Sequence, residues 1–129
     1  MKKVSTPNAP AAIGPYTQAV ISNGMLYTSG QIPLDPKTGE VIQGDMIEQT
    51  RRVMENLGEV LKAGGTDFTH AVKTTCYLSD MFYFTAFNEV YAEYFTGCPA
   101  RSCVAVRTLP KDVMVEVEVI AEIPGSVQF

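Results

Sequence analysis

Residues 113–123 read Val-Met-Val-Glu-Val-Glu-Val-Ile-Ala-Glu-Ile, and their strict alternation predicts a long strand with two unlike faces. Val113, Val115, Val117 and Val119 point one way; Met114, Glu116, Glu118 and Ile120 point the other. The valine row suits a side covered by helices, and two helices are at hand. From Asp45 to about Ala63, Ile47, Met54, Leu57 and Leu61 recur at intervals of seven, three and four, which places them on one helical face. Asp45 with Glu48 forms a capping-box pattern, and Gly64-Gly65 supplies the stop. From about Met81 to Phe95, the residues Phe84, Phe87, Tyr91, Tyr94 and Phe95 keep helical spacing, with Ser79 or Asp80 as cap.

Around these helices lie further strand-like runs. Tyr16 to Ile21 and Met25 to Ser29 flank Ser22-Asn23-Gly24, whose Asn-Gly pair marks a hairpin turn. Ala71 to Ser79 is rich in β-formers and Ser102 to Arg107 is short. The order β-β-α-β-α-β-β predicts an α+β fold with two helices packed on one face of a mixed sheet. The other face then meets water or another subunit. Val20, Leu26, Ile32, Leu34 and Ile120 are too many apolar residues to leave exposed, so oligomerisation through that open face is expected.

The chain has 129 residues, with no repeat or linker, and is expected to form a single domain over residues 1–129. A formal charge of −4 argues against nucleic acid as the main partner, since phosphate binding calls for basic patches. The N-terminal Met-Lys-Lys-Val-Ser-Thr-Pro has no apolar run behind its lysines, so no secretory leader is expected, and no stretch is long enough for a membrane span. Cys76, Cys98 and Cys103 lack CxxC spacing, which suits a reducing cytoplasm.

Several residues are candidates for chemistry. Arg101, at the mouth of a short strand, is either a two-bond carboxylate grip or half of a surface ion pair. Glu116 is unusual inside a strand, yet solvation or an ion pair would also explain it. Thr28-Ser29-Gly30-Gln31 ends a strand where backbone N–H groups could face a ligand, or is a plain turn. Tyr16 follows Gly14-Pro15 and is a proton relay or an interface residue. Cys103 shares a strand face with Arg101, as a nucleophile beside a cation or as a packing residue. His70 is the one histidine, so neither a histidine metal cluster nor a Ser-His-Asp triad is expected, and no metal site is assigned.

Five segments in order complete the reading: Ala-Ile-Gly-Pro-Tyr (12–16), Thr-Ser-Gly-Gln-Ile-Pro (28–33), Pro-Lys-Thr-Gly-Glu (36–40), Pro-Ala-Arg-Ser-Cys-Val (99–104) and Leu-Pro-Lys-Asp-Val (109–113). Together they resemble the reactive-intermediate deaminase (Rid) or YjgF-like family, also named for endoribonuclease L-PSP, over essentially the whole chain. The resemblance implies a chorismate-mutase-like α+β fold, a homotrimer and ligand clefts between adjacent subunits. It also implies that Arg101 binds a substrate carboxylate and that Glu116 positions the attacking water. Tyr16, Ser29, Gly30, Asn88 and Cys103 match positions lining the same cleft, Cys103 through its backbone. Two departures fall at the cleft rim: a short Thr96-Gly97-Cys98 segment and Arg107-Thr108 before Leu109.

The expected activity is hydrolysis of reactive 2-imino and 2-enamino acids, such as 2-iminopropanoate and 2-iminobutanoate, to 2-oxo acids and ammonia. No metal or organic cofactor is called for. Arg101, Glu116 and Tyr16 are the catalytic candidates, and Arg101, Ser29, Gly30, Asn88 and Cys103 the substrate-binding ones. The alternatives are a regulatory trimer that binds a small carboxylic acid without turning it over and, third, a ribonuclease or translation inhibitor. The absence of a histidine pair and the acidic balance disfavour the last.

Overall fold

The computed structural model describes residues 1–125. Six strands form one sheet: β1 (Lys2–Val4), β2 (Ala19–Ser22), β3 (Met25–Thr28), β4 (Ala71–Leu78), β5 (Ala100–Ala105) and β6 (Val115–Glu122). Helix α1 (Met46–Ala63) joins β3 to β4, and α2 (Phe84–Tyr94) joins β4 to β5. The spatial order is β1-β2-β3-β6-β4-β5. Strands β4 and β5 are parallel neighbours, which demands a crossover, and α2 supplies it. The last strand slots between β3 and β4, antiparallel to both. The segment that decides the fold is therefore central.

Its alternation is realised as expected. Val115, Val117 and Val119 are buried beneath the helices, while Glu116, Glu118 and Ile120 are half-buried on the opposite, uncovered face. Helix α1 buries Met54, Leu57 and Leu61 on its inner stripe, and the Asp45 carboxylate accepts from the Glu48 backbone N–H at 3.0 Å. The two glycines at its end differ in purpose. A Cβ on Gly64 would collide with Leu26, whereas Gly65 takes the left-handed φ of 85°. Before α2, Asp80 caps a 3₁₀ turn over Met81–Tyr83, so the regular helix begins three residues later than expected.

Differences from expectation have local causes. The Asn23-Gly24 turn, with φ of 50° and 74°, pairs Ser22 with Met25, and therefore Ile21 with Leu26 and Val20 with Tyr27. Val20 and Leu26 thus face opposite ways: Leu26 is wholly buried against α1, and Leu34 is buried too. What remains on the open face around Ile120 is Val20, Tyr27, Lys73 and Ala100 in one cross-sheet row. Strand β2 starts at Ala19 instead of Tyr16, and Gln18, just before it, turns its side chain onto the preceding loop. Strand β5 starts at Ala100, directly after Pro99, and β6 ends at Glu122. The edge strand β1, with two lysines in three residues, carried no expectation at all. Among the described residues, no helix is long and apolar enough to cross a membrane.

Candidate functional site

Arg101 lies on β5 in register with Thr74 of β4, and Thr74 bonds the Tyr91 hydroxyl at 2.8 Å. Both side chains therefore look toward α2. That helix presents Phe84, Asn88 and Tyr91 at i, i+4 and i+7, a single face. The guanidinium carbon of Arg101 sits 4.7 Å from the Tyr91 ring centre and 5.4 Å from that of Phe84. Its Nη1 donates to Asn88 Oδ1 at 2.8 Å. Cation–π contacts of this kind contribute about 0.5–2 kcal/mol and fix the plane of the fork. Among the described residues the ion pairs are Arg51–Glu93, Arg52–Glu55 and His70–Asp67, so Arg101 has none. It borders a hollow of about 350 Å³ with Thr96, Cys98 and Pro99. Cys103 follows on the same face, and burial pushes its thiol up more strongly than Arg101 pulls it down. That leaves a protonated, packing thiol rather than an activated nucleophile.

Glu116 occupies the other side of the sheet. It lines a cleft of about 610 Å³ with Tyr16, Ser29, Gly30, Ile32 and Lys111. A side chain at Gly30 would overlap the Glu116 carboxylate, so the glycine is what admits the acid at this point. Ser29 is held by its neighbours, donating Oγ–H to the Thr17 carbonyl at 2.5 Å and N–H to the Gln18 carbonyl at 2.9 Å. Tyr16 stands at the mouth, 54% exposed. Burial, and secondarily the nearby Glu118 carboxylate, raises Glu116 above the ordinary carboxylate value. Glu118 in turn accepts from the Tyr77 hydroxyl at 2.7 Å, a bond that with burial pushes that phenol up to about 12.

The seven candidates thus divide into two groups. Arg101, Asn88 and Cys103 lie on the helix side near the β5 edge; Tyr16, Ser29, Gly30 and Glu116 gather around a cleft on the uncovered side. A single copy does not bring Arg101 and Glu116 into one pocket. Three contributors lie outside these candidates. The aromatic floor under Arg101 was legible as the 84/88/91 helical spacing. Lys111 at the cleft lip, with Asp112, holds a positive φ of 54° and 56°, strain of the kind that clusters at functional sites. Gln18 carried no signal of its own, falling inside the run from Tyr16 to Ile21 that reads as a strand.

Comparison with known proteins agrees with this architecture. The Endoribonuclease L-PSP family profile matches residues 6–123. A RutC family protein of Pyrococcus horikoshii is 52% identical over 123 residues, covering 94% of this chain and 98% of that protein. A mouse protein named 2-iminobutanoate/2-iminopropanoate deaminase is 49% identical over 121 residues, covering 93% and 90%. The crystal structure of E. coli TdcF with bound serine superposes with a TM-score of 0.89 at 42% identity, covering 95% of this chain and 98% of the other.

Proposed function

The chain belongs to the Endoribonuclease L-PSP family, the YjgF-like group its motifs resemble, and on that footing we propose that it hydrolyses 2-imino acids such as 2-iminopropanoate and 2-iminobutanoate. The observation that carries the reading is Arg101: a guanidinium laid on Tyr91, bonded to Asn88 and without a carboxylate partner among the described residues. A planar fork in that state suits a small carboxylate. The relative named as a deaminase and the serine held by TdcF, itself a small amino acid with a carboxylate, support the same substrate class.

Because Arg101 and Glu116 lie on opposite faces, assembly is part of the proposal. Three copies associate through their open faces, and Arg101 of one closes on the Glu116 cleft of the next. Arg101 orients the substrate by its carboxylate, an effect of restricted geometry. Glu116, with its affinity for a proton raised by burial, orients a water and takes its proton as the oxygen bonds to C2. Glu116 returns that proton to nitrogen, the remaining hydroxyl proton of the tetrahedral adduct follows it as the C2=O bond forms, and the C–N bond breaks, so the products are a 2-oxo acid and ammonia, which takes up a proton from solvent. An enamine first accepts a proton at C3, which Tyr16 or a water supplies. No electrons change hands.

Ammonia release from enzymatically generated 2-aminoacrylate tests the reading. The expected result is release well above the uncatalysed rate, nearly abolished in Arg101→Ala. A wild-type chain that adds nothing to the uncatalysed rate sinks the deaminase and leaves a carboxylate-binding regulator. Cleavage of single-stranded RNA that survives purification and is lost in Arg101→Ala would restore the ribonuclease.

A further inference from the structure

We propose that Gln18 is a positioning residue, which clamps residues 6–16 over the Glu116 cleft and thereby sets the place of Tyr16. The inference rests on the deaminase reading for its catalytic consequence but not for the clamp itself. Residues 5–18 connect β1 to β2 without helix or strand and contain Pro7, Pro10 and Pro15. Among the described residues, 6–12 make no backbone–backbone hydrogen bond. Apart from the burial of Ala9 and Pro10 and the Asn8 N–H donated to Thr6 Oγ1, such a run has little to hold it against chain entropy.

Gln18 supplies what is missing. It is 3% exposed. Its Oε1 accepts from the Thr6 N–H at 2.6 Å, and its Nε2 donates toward the carbonyls of Thr6 at 3.1 Å, Ala9 at 3.3 Å and Pro10 at 2.8 Å. The amide oxygen and both amide hydrogens are thereby engaged with the loop. Its own backbone carbonyl accepts from the Ser29 N–H. One residue therefore joins the loop bearing Ile13 and Tyr16 to the strand end bearing Ser29 and Gly30, and these together wall the Glu116 cleft. A buried amide bonded through its oxygen and its nitrogen to a non-repetitive segment serves geometry, since an apolar side chain would fill the same space without desolvating polar atoms.

The test is Gln18→Met, which keeps volume and removes the amide, read by hydrogen exchange and by turnover. Expected are loss of protection at the Thr6 amide with protection in α1 unchanged, and a fall in kcat/KM of about 10- to 100-fold. If Gln18 acts through Tyr16, adding Gln18→Met to Tyr16→Phe costs little further, a non-additivity that general destabilisation would not produce. Should Gln18→Met fail to fold, Gln18→Glu keeps the shape and the oxygen facing Thr6 while withdrawing the hydrogens offered to Ala9 and Pro10, and carries the comparison of turnover and of additivity with Tyr16→Phe. Retained Thr6 protection in Gln18→Met, or retained turnover or additive losses with Tyr16→Phe in either variant, overturns the proposal. A wild-type chain that releases no ammonia rejects the deaminase reading, and Thr6 protection in the variant then decides the clamp alone.

Discussion

At the scale of single residues, Arg101 and Glu116 are set for their parts in different ways. Arg101 is shaped by contact, its fork pressed on Tyr91 and tied to Asn88. Arg101→Ala should stay folded, because β5 is an edge strand, with stability lowered by about 0.5–2 kcal/mol for the lost cation–π contacts, yet lose most imine turnover. A charge-assisted contact contributes about 1.5–3 kcal/mol, and misorientation adds to the loss. Arg101→Lys should recover little, since an ammonium has no planar fork; ammonia release on both variants checks this. Glu116 is shaped by its surroundings. Its pKa in the folded chain lies above the ordinary value of 4.5, so the folded state holds this proton more tightly than the unfolded one. Stability therefore falls as pH rises from about 4.5 through the raised value, and the loss is complete above it. Glu116→Gln should lower kcat by about 10²- to 10⁴-fold while raising the urea midpoint at pH 7, a gain that disappears below pH 4.5. A midpoint that does not rise at neutral pH would show that burial costs the carboxylate nothing.

Among the elements, α1 and α2 do more than cover the sheet. Helix α2 carries the floor of Arg101, and α1 reaches across to the loop after Gly30. Asn56, fully buried on α1, donates its amide hydrogens to the Ile32 and Leu34 carbonyls at 3.2 and 3.0 Å. Asn56→Ala should destabilise the chain by about 1–3 kcal/mol, the cost of leaving buried carbonyls unpaired plus lost packing, measured by urea denaturation. The elements themselves were legible because local rules govern them: heptad-like spacing for α1, an Asn-Gly turn for the hairpin, alternation for β6. The facing of Leu26 departs from the expectation that grouped it with Val20 on the open face: the two-residue turn pairs it with Ile21, on the face opposite to Val20, and it is buried beneath the helices. Strand β1 was illegible because three residues with two lysines acquire their extended form only from pairing with β2.

For the molecule as a whole, the open face is the unresolved half of a packing problem. Val20, Tyr27 and Ile120 lie in one row there, bordered by Glu116 and Glu118. Light scattering should return about three times the 14.1 kDa chain mass, and Ile120→Lys should give a folded, monomeric and inactive chain, checked by scattering, circular dichroism and ammonia release together. A stable wild-type monomer at micromolar concentration that still turns over imine would sink both the assembly and the shared cleft.

Periodicity, turn chemistry and a row of matched motifs determined the α+β layout, the valine face of β6 and the identity of the candidate residues, because each is a property of neighbours along the chain. Which candidates stand together was decided elsewhere. Arg101 and Glu116 are fifteen positions apart on strands that do not touch, and their facing depends on how β4 registers against both β5 and β6. The buried amide of Gln18 and the aromatic bed of Arg101 likewise come from segments that meet only after the sheet has closed around β6. Long-range register carries no local sequence signal, since many pairings satisfy the same alternation and packing selects one among them.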